Sequence, residues 1–256
     1  MLNKPSTNTL SYTSNYGKVA LITGSARRIG ASIAKMLHKN GYNTLIHYNE
    51  SESEAKQLVA DLNNIRSDSA FTIQANLREI AELSSLCEAT IAQWGQLDLL
   101  INNASCFYPT NGFKSEDWDS IINTNLRAPF YLSQTLADAL KVTSGSIINL
   151  VDIYAERPLK DHSIYNISKA GIAMMTQTLA RELAPDVRVN GVSPGAILWP
   201  EKEGEQTTPK EGIISQTPLA RCGTPEDICD AVNYLASSTF VTGQIIKVDG
   251  GRSLYL

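Results

Sequence analysis

Tyr165 and Lys169 stand four residues apart in the segment Tyr165-Asn166-Ile167-Ser168-Lys169, a spacing that puts two side chains on one helix face. A phenol is a poor acid or base at neutral pH. A cation beside it favours its ionised form and draws it toward the working range. The pair therefore suits proton transfer, with Tyr165 as the acid and Lys169 as the cation that tunes it. Such pairs are also common on plain helix surfaces, so the chemistry depends on what surrounds this one. Asn102-Asn103-Ala104-Ser105 ends an apolar run, and Asn125 lies four residues before Pro129. Proline has no N–H, so the Asn125 carbonyl loses its usual helical donor and is free to hold a water linking Lys169 to solvent. A simple proline kink is the bland alternative.

A second set of residues suits phosphate binding. The run Lys18–Thr23 passes directly into Gly24-Ser25-Ala26-Arg27-Arg28-Ile29-Gly30 and then a helix-period segment. Glycines at a strand-to-helix turn let the backbone approach a pyrophosphate, and the helix N-terminus supplies free N–H groups. Only the outer glycines of the usual dinucleotide fingerprint are present, with Arg28 in the middle place. The next strand-like run ends His47-Tyr48-Asn49, with its acid displaced to Glu50. A carboxylate at that strand end normally accepts from the ribose hydroxyls of NAD and would repel the extra phosphate of NADP. Its absence, with Arg27 and Arg28 nearby, favours NADP(H), although Glu50 is close enough to interfere.

These residues need a scaffold that brings strand ends and helix starts together, and the sequence pattern supplies one. Lys18–Thr23, Asn43–Tyr48, Ala70–Ala75, Leu97–Asn102, Ser146–Val151, Arg188–Val192 and Gln244–Val248 are expected as strands. Arg28–Lys39, Glu52–Asn64, Ile80–Trp94, Ser115–Leu140, Ile164–Leu183 and Pro225–Ala236 are expected as helices. The alternation predicts an α/β fold: one Rossmann-type, doubly wound domain over 17–256, a seven-stranded parallel sheet with helices on both faces. Residues 1–16 are mostly Ser, Thr and Asn without an apolar core, and are expected as a loose arm rather than a signal peptide. The stretch 196–218 is expected as a substrate loop.

Composition narrows the function. The chain has 256 residues and a net charge of −4, which gives no electrostatic reason to expect nucleic acid or an anionic membrane as partner. No apolar run approaches the roughly 18 residues of a membrane span. The four cysteines form no CxxC pair and no metal-like cluster with the three histidines, so no metal is expected and a reducing cytoplasm fits. Cys106 alone adjoins a motif, and is taken as a small packed side chain.

Together, the Gly24/Gly30 turn, Asn102-Asn103-Ala104, Asn125, Tyr165/Lys169, Arg188-Val189-Asn190, Pro194-Gly195 and Asp249-Gly250-Gly251 resemble the short-chain dehydrogenase/reductase family from Gly17 nearly to the end. Three departures narrow the likeness. Asp152 stands thirteen residues before the tyrosine, where the family usually has a catalytic serine. Arg28 replaces the middle glycine, and the segment after Asn103 runs Ala104-Ser105-Cys106-Phe107-Tyr108-Pro109. These resemble the pteridine reductases, as do Tyr154, Glu156, Arg157 and the run Gly195–Pro200, which are similar to the bacterial branch.

The resemblance implies NADPH as cofactor and a dihydropterin or dihydrofolate as substrate. It implies cofactor contacts from Gly24, Arg27, Arg28, Ile29 and Gly30, from His47, Tyr48, Asn49 and Ser51, and from Asn76 and Leu77. Asn103, Ala104, Ser105, Tyr165, Lys169, Pro194 and Gly195 complete that set. Asn76 replaces an Asp that commonly receives the adenine amino group; its amide oxygen can still accept. Glu50 stands where protozoan pteridine reductases carry an arginine. The implied catalytic group is Asp152, Tyr165, Lys169 and Asn125. The substrate is expected against Arg28, Ser105, Phe107, Asp152, Tyr165, Leu198 and Trp199, with Phe107 stacking on the flat ring. A homotetramer is implied, with the long helices near Ser115–Leu140 and Ile164–Leu183 crossing between subunits. Two alternatives remain: a reductase of ketoacyl or sugar-like carbonyls, against which Asp152 speaks, and a non-catalytic NADP(H)-sensing protein, against which Tyr165, Lys169 and Asn125 speak.

Overall fold

A computed structural model describes residues 17–197 and 210–255. The expected N-terminal arm, with Leu198, Trp199 and much of the expected substrate loop, lies outside the described residues. Among the described residues the seven strands are β1 (Val19–Ile22), β2 (Asn43–Tyr48), β3 (Ala70–Gln74), β4 (Leu99–Asn102), β5 (Ser146–Leu150), β6 (Arg188–Pro194) and β7 (Ile245–Val248). They form one parallel sheet in the order β3-β2-β1-β4-β5-β6-β7. The chain winds outward from β1 in one direction and from β4 in the other, which opens a crevice at the carboxyl ends of those two strands.

Alternation along the strands feeds two hydrophobic layers. Val19, Leu21, Leu45, Leu100, Ile147 and Val189 pack on one face, and Ala20, Ile22, Ile46, Leu99, Ile101, Ile148 and Val192 on the other. Helices α3 (Ile80–Trp94), α5 (Ala128–Thr135), α6 (Ala137–Val142) and α7 (Ser163–Glu182) contribute to the first layer. Helices α1 (Arg28–Lys39), α2 (Glu52–Ile65) and α9 (Pro225–Ser237) contribute to the second. Both faces of the central strands are therefore dry, as a parallel sheet requires.

The structure corrects two expectations. The single helix expected over Ser115–Leu140 is divided into α4 (Ser115–Ile122), a π-helical turn at Asn123–Arg127, α5 and α6. Pro129 cannot donate to Asn125, and the chain widens so that the Ala128 N–H reaches Asn123 O, five residues back. The segment 196–218 contains a short helix, α8 (Lys210–Ser215), where only loop was expected.

Candidate active site

The turn after β1 is built for close approach. Gly24 has φ +62°, and a Cβ there would stand 2.9 Å from Ala104 Cα. A Cβ on Gly30 would stand 2.5 Å from Gly24 O and 2.6 Å from Asn103 Nδ2, so only glycine lets α1 start this near the turn. Thr23, which the sequence pattern gave no role, ties the two strand ends together: its Oγ1 accepts from the N–H groups of Asn103 (3.0 Å) and Ala104 (3.1 Å). Asn103 Nδ2 donates back to the carbonyls of Thr23 (2.9 Å) and Gly24 (3.0 Å). A strand-end Thr followed by Gly was the available signal.

Arg28 occupies the middle-glycine place and keeps a glycine-like backbone, with φ +53°. An arginine in the left-handed region costs about 1–2 kcal/mol, so its side chain is held there against local preference. Helix α1 has no acidic residue in its first turn, unlike α2, α3, α4 and α9. Arg27 and Arg28 are exposed at its start, with Ile29 half-buried behind them and Gly30 buried. A helix N-terminus without a side-chain cap, two guanidinium groups and a glycine cradle fit the pyrophosphate of a dinucleotide.

At the end of β2 the side chains part ways. His47 is buried; its Nδ1 accepts from the Gly24 N–H (2.9 Å), and Nε2–H donates to Ala75 O (3.0 Å). Only neutral imidazole can do both, and burial pulls its pKa down to about 4. His47 thus shapes the turn from beneath. Tyr48 is also buried, whereas Asn49 and Glu50 are exposed and Ser51 precedes α2. Arg27 pairs with Glu54 of α2 at 3.6 Å, an acid not singled out from the sequence. After β3, Asn76 Oδ1 accepts from the Arg78 backbone N–H (3.1 Å) and from Arg78 Nε–H (3.4 Å), and Leu77 is buried beside it. After β6, a Cβ on Gly195 would stand 2.7 Å from Asp249 Cα, so Pro194-Gly195 lies directly against the Asp249 turn.

Beyond the β5 end, the chemistry-bearing side chains converge. The Tyr165 hydroxyl donates to Asp152 Oδ2 at 2.7 Å, and Asp152 Oδ1 accepts from the Tyr154 N–H at 2.9 Å. Lys169 is buried one helical turn on; its Nζ donates to Leu150 O at 3.0 Å and lies 5.6 Å from the Tyr165 ring centre. The expectation that Lys169 would draw the phenol toward ionisation is corrected here. Burial and the Asp152 carboxylate hold Tyr165 well above its ordinary pKa, as a neutral phenol. Burial also raises the Asp152 carboxyl, against the opposing pull of Lys169. Lys169 falls to about 8, again through burial.

Asn125, buried at the π turn, acts through its side chain. Its Oδ1 accepts from the Cys106 N–H (2.7 Å), and its Nδ2 donates to Cys106 O (2.9 Å) and Ser168 Oγ (3.1 Å). The loop carrying exposed Ser105 and Phe107 is thereby clamped to α7, the helix of Tyr165. Phe107 stacks on His162, which the sequence did not single out, and meets Tyr165 edge-on. Leu198 and Trp199 cannot be placed in this group, being outside the described residues. Among the described residues, no cluster of three or more His, Cys, Asp or Glu could hold a metal, and no helix is long and apolar enough to cross a membrane.

Comparison with known proteins agrees with this geometry. The family model described as enoyl-(acyl carrier protein) reductase, a short-chain dehydrogenase/reductase family, matches residues 24–253. The chain belongs to the short-chain dehydrogenase/reductase family. Among its relatives, pteridine reductase 1 of Leishmania tarentolae is 36% identical over 94% of this chain and 98% of that protein. The 3-oxoacyl-(acyl-carrier-protein) reductase FabG of Staphylococcus aureus (strain Mu50) is also 36% identical, over 91% of this chain and 97% of its own. A 3-oxoacyl-(acyl-carrier-protein) reductase of Synechocystis is 33% identical over 93% and 98%. Short-chain reductases are oxidoreductases that use nicotinamide cofactors. In this chain the glycine cradle, the α1 start and Lys169 are the groups that fit one.

Proposed function

We propose that this oxidoreductase reduces a dihydropterin, or a dihydrofolate-like pterin, with NADPH. The observation that carries the reading is the 2.7 Å hydrogen bond between the Tyr165 hydroxyl and Asp152. A ketone needs a hydroxyl donor for its oxygen, whereas a pterin presents ring nitrogens to protonate and an aminopyrimidine edge that a carboxylate can accept from. The exposed ring of Phe107 beside Tyr165, the left-handed Arg28 and the pteridine reductase among the relatives support it.

NADPH, when bound, supplies the hydride that adds to a carbon of the pterin C=N bond. Tyr165 gives its phenolic proton to the adjacent nitrogen. Asp152 replaces that proton across their shared hydrogen bond, since a carboxyl raised by burial holds its proton to higher pH than an exposed one. Lys169, anchored on Leu150 O, supplies positive charge that steadies the Asp152 carboxylate once its proton has left. Asn125 fixes the Cys106 backbone and, with it, the loop bearing Ser105 and Phe107. Arg28 is suited to bridging a cofactor phosphate and a polar pterin atom. We assign the chain to the cytoplasm and to a homotetramer, in which the exposed Ile167 and Met174 of α7 and Phe130 of α5 meet other subunits.

The equal identity to a 3-oxoacyl reductase supports carbonyl reduction as the second reading. NADPH oxidation with dihydrobiopterin, dihydromonapterin, dihydrofolate and an acetoacetyl thioester separates the two. Wild type should turn over at least one pterin, and Asp152→Ser should lose that activity by roughly 10²-fold or more. Turnover of the thioester alone would favour the second reading.

A further inference from the structure

The ring of His162 lies almost parallel to that of Phe107, with centroids 4.8 Å apart and planes 18° from each other. Phe107 also meets Tyr165 at 4.8 Å and 75°, yet remains 52% exposed. His162 is itself buried, directly before α7, and its Nδ1–H donates to Lys160 O at 2.8 Å. Its backbone carbonyl accepts from the Asn166 N–H in the first turn of that helix. The imidazole is thus pinned at its nitrogen and its backbone, three residues before the catalytic tyrosine.

We propose that His162 is a positioning residue for a flat substrate: its ring backs one face of Phe107 and fixes the orientation of the other. The inference rests on the pterin reading and deepens it. An exposed phenylalanine on a loop samples several rotamers, and ordering it on substrate binding costs affinity. Here the backing ring and the Asn125 clamp on Cys106 restrain that motion before substrate arrives. The dependence of Phe107 on a neighbouring plane sets planarity as a selection rule: ring substrates gain from the pre-set stack, and non-planar ones do not. Any aromatic plane in place of the imidazole should serve, because stacking rather than proton transfer is what His162 contributes.

The test uses the full chain loaded with NADP+, which has no hydride to give, and the planar probe 2,4-diaminopteridine, with affinity read by calorimetry. His162→Ala should weaken the probe by roughly fivefold, and His162→Phe should restore it. Cofactor affinity, measured separately, should stay unchanged in both. Where a dihydropterin is turned over, His162→Ala should raise KM with little change in kcat. An unchanged probe affinity in His162→Ala, an equal loss of NADPH affinity, failure of His162→Phe to rescue, or no probe binding by wild type would overturn the proposal. Turnover separates it from the reading it rests on. A wild type that binds the probe through the stack but reduces only the thioester would remove pterin reduction and leave the role of His162 standing.

Discussion

Tyr165, Asp152 and Lys169 show how burial sets the protonation of a site. The phenol is held neutral and the carboxyl is raised, while the amine falls to about 8. Protonated Asp152 becomes scarcer as pH rises, and the Lys169 ammonium is lost above about 8. The kcat for reduction should therefore fall with increasing pH, steeply beyond 8; a pH profile rising through that range would contradict the relay. His47 makes a separate prediction about stability. Its folded pKa of about 4 lies below the ordinary 6.5, so its contribution is complete above 6.5 and is lost as pH falls toward 4. That difference corresponds to about 3 kcal/mol. Gln can make both bonds without titrating, so thermal melts of His47→Gln should show a flatter acid limb than wild type. The sequence placed His47 at the strand end beside the cofactor. It could not show which way the ring points, because every residue of β2 is buried and two-sided burial erases the alternation signal.

Among the elements, α1 carries the clearest conflict between local preference and use. Arg28 adopts a conformation that favours glycine. Arg28→Gly should leave the melting temperature no lower while raising KM for NADPH or the pterin severalfold, the exchange expected where strain is kept for function. Gly30→Ala should act oppositely, costing about 1–3 kcal/mol through overpacking against Gly24 O and Asn103. NADPH titration and thermal melts on the two variants check both outcomes. The strands were legible to within one or two residues because buried apolar runs between turn residues are a strong signal. The division of the expected helix over 115–140 was not. Pro129 marked a disturbance, but only packing against α7 and the loop at Cys106 shows that the chain answers with a π turn that aims Asn125 inward.

For the whole molecule, α7 carries Tyr165 and Lys169 on its buried side and the exposed Ile167, Ala170 and Met174 on the other, at helical spacing. If subunits pack there, light scattering should find a tetramer for wild type and a smaller species for the double substitution Ile167→Glu and Met174→Glu. A monomeric wild type at micromolar concentration would count against the assembly. Sequence by itself determined the α/β class, the parallel sheet, the glycine turn and the Tyr165/Lys169 pair, because these rest on periodicity and on spacing within single elements. It also set Asp152 apart by its distance from the tyrosine. Tertiary structure decided what those residues do to one another: that the Tyr165 hydroxyl bonds Asp152 while the Lys169 ammonium bonds Leu150 O, that His47 supports the turn from below, and that His162 backs Phe107. The physical reason is that hydrogen-bond partners and desolvation depend on which elements meet. Those meetings are fixed by packing between segments far apart in the chain, which local pattern does not encode.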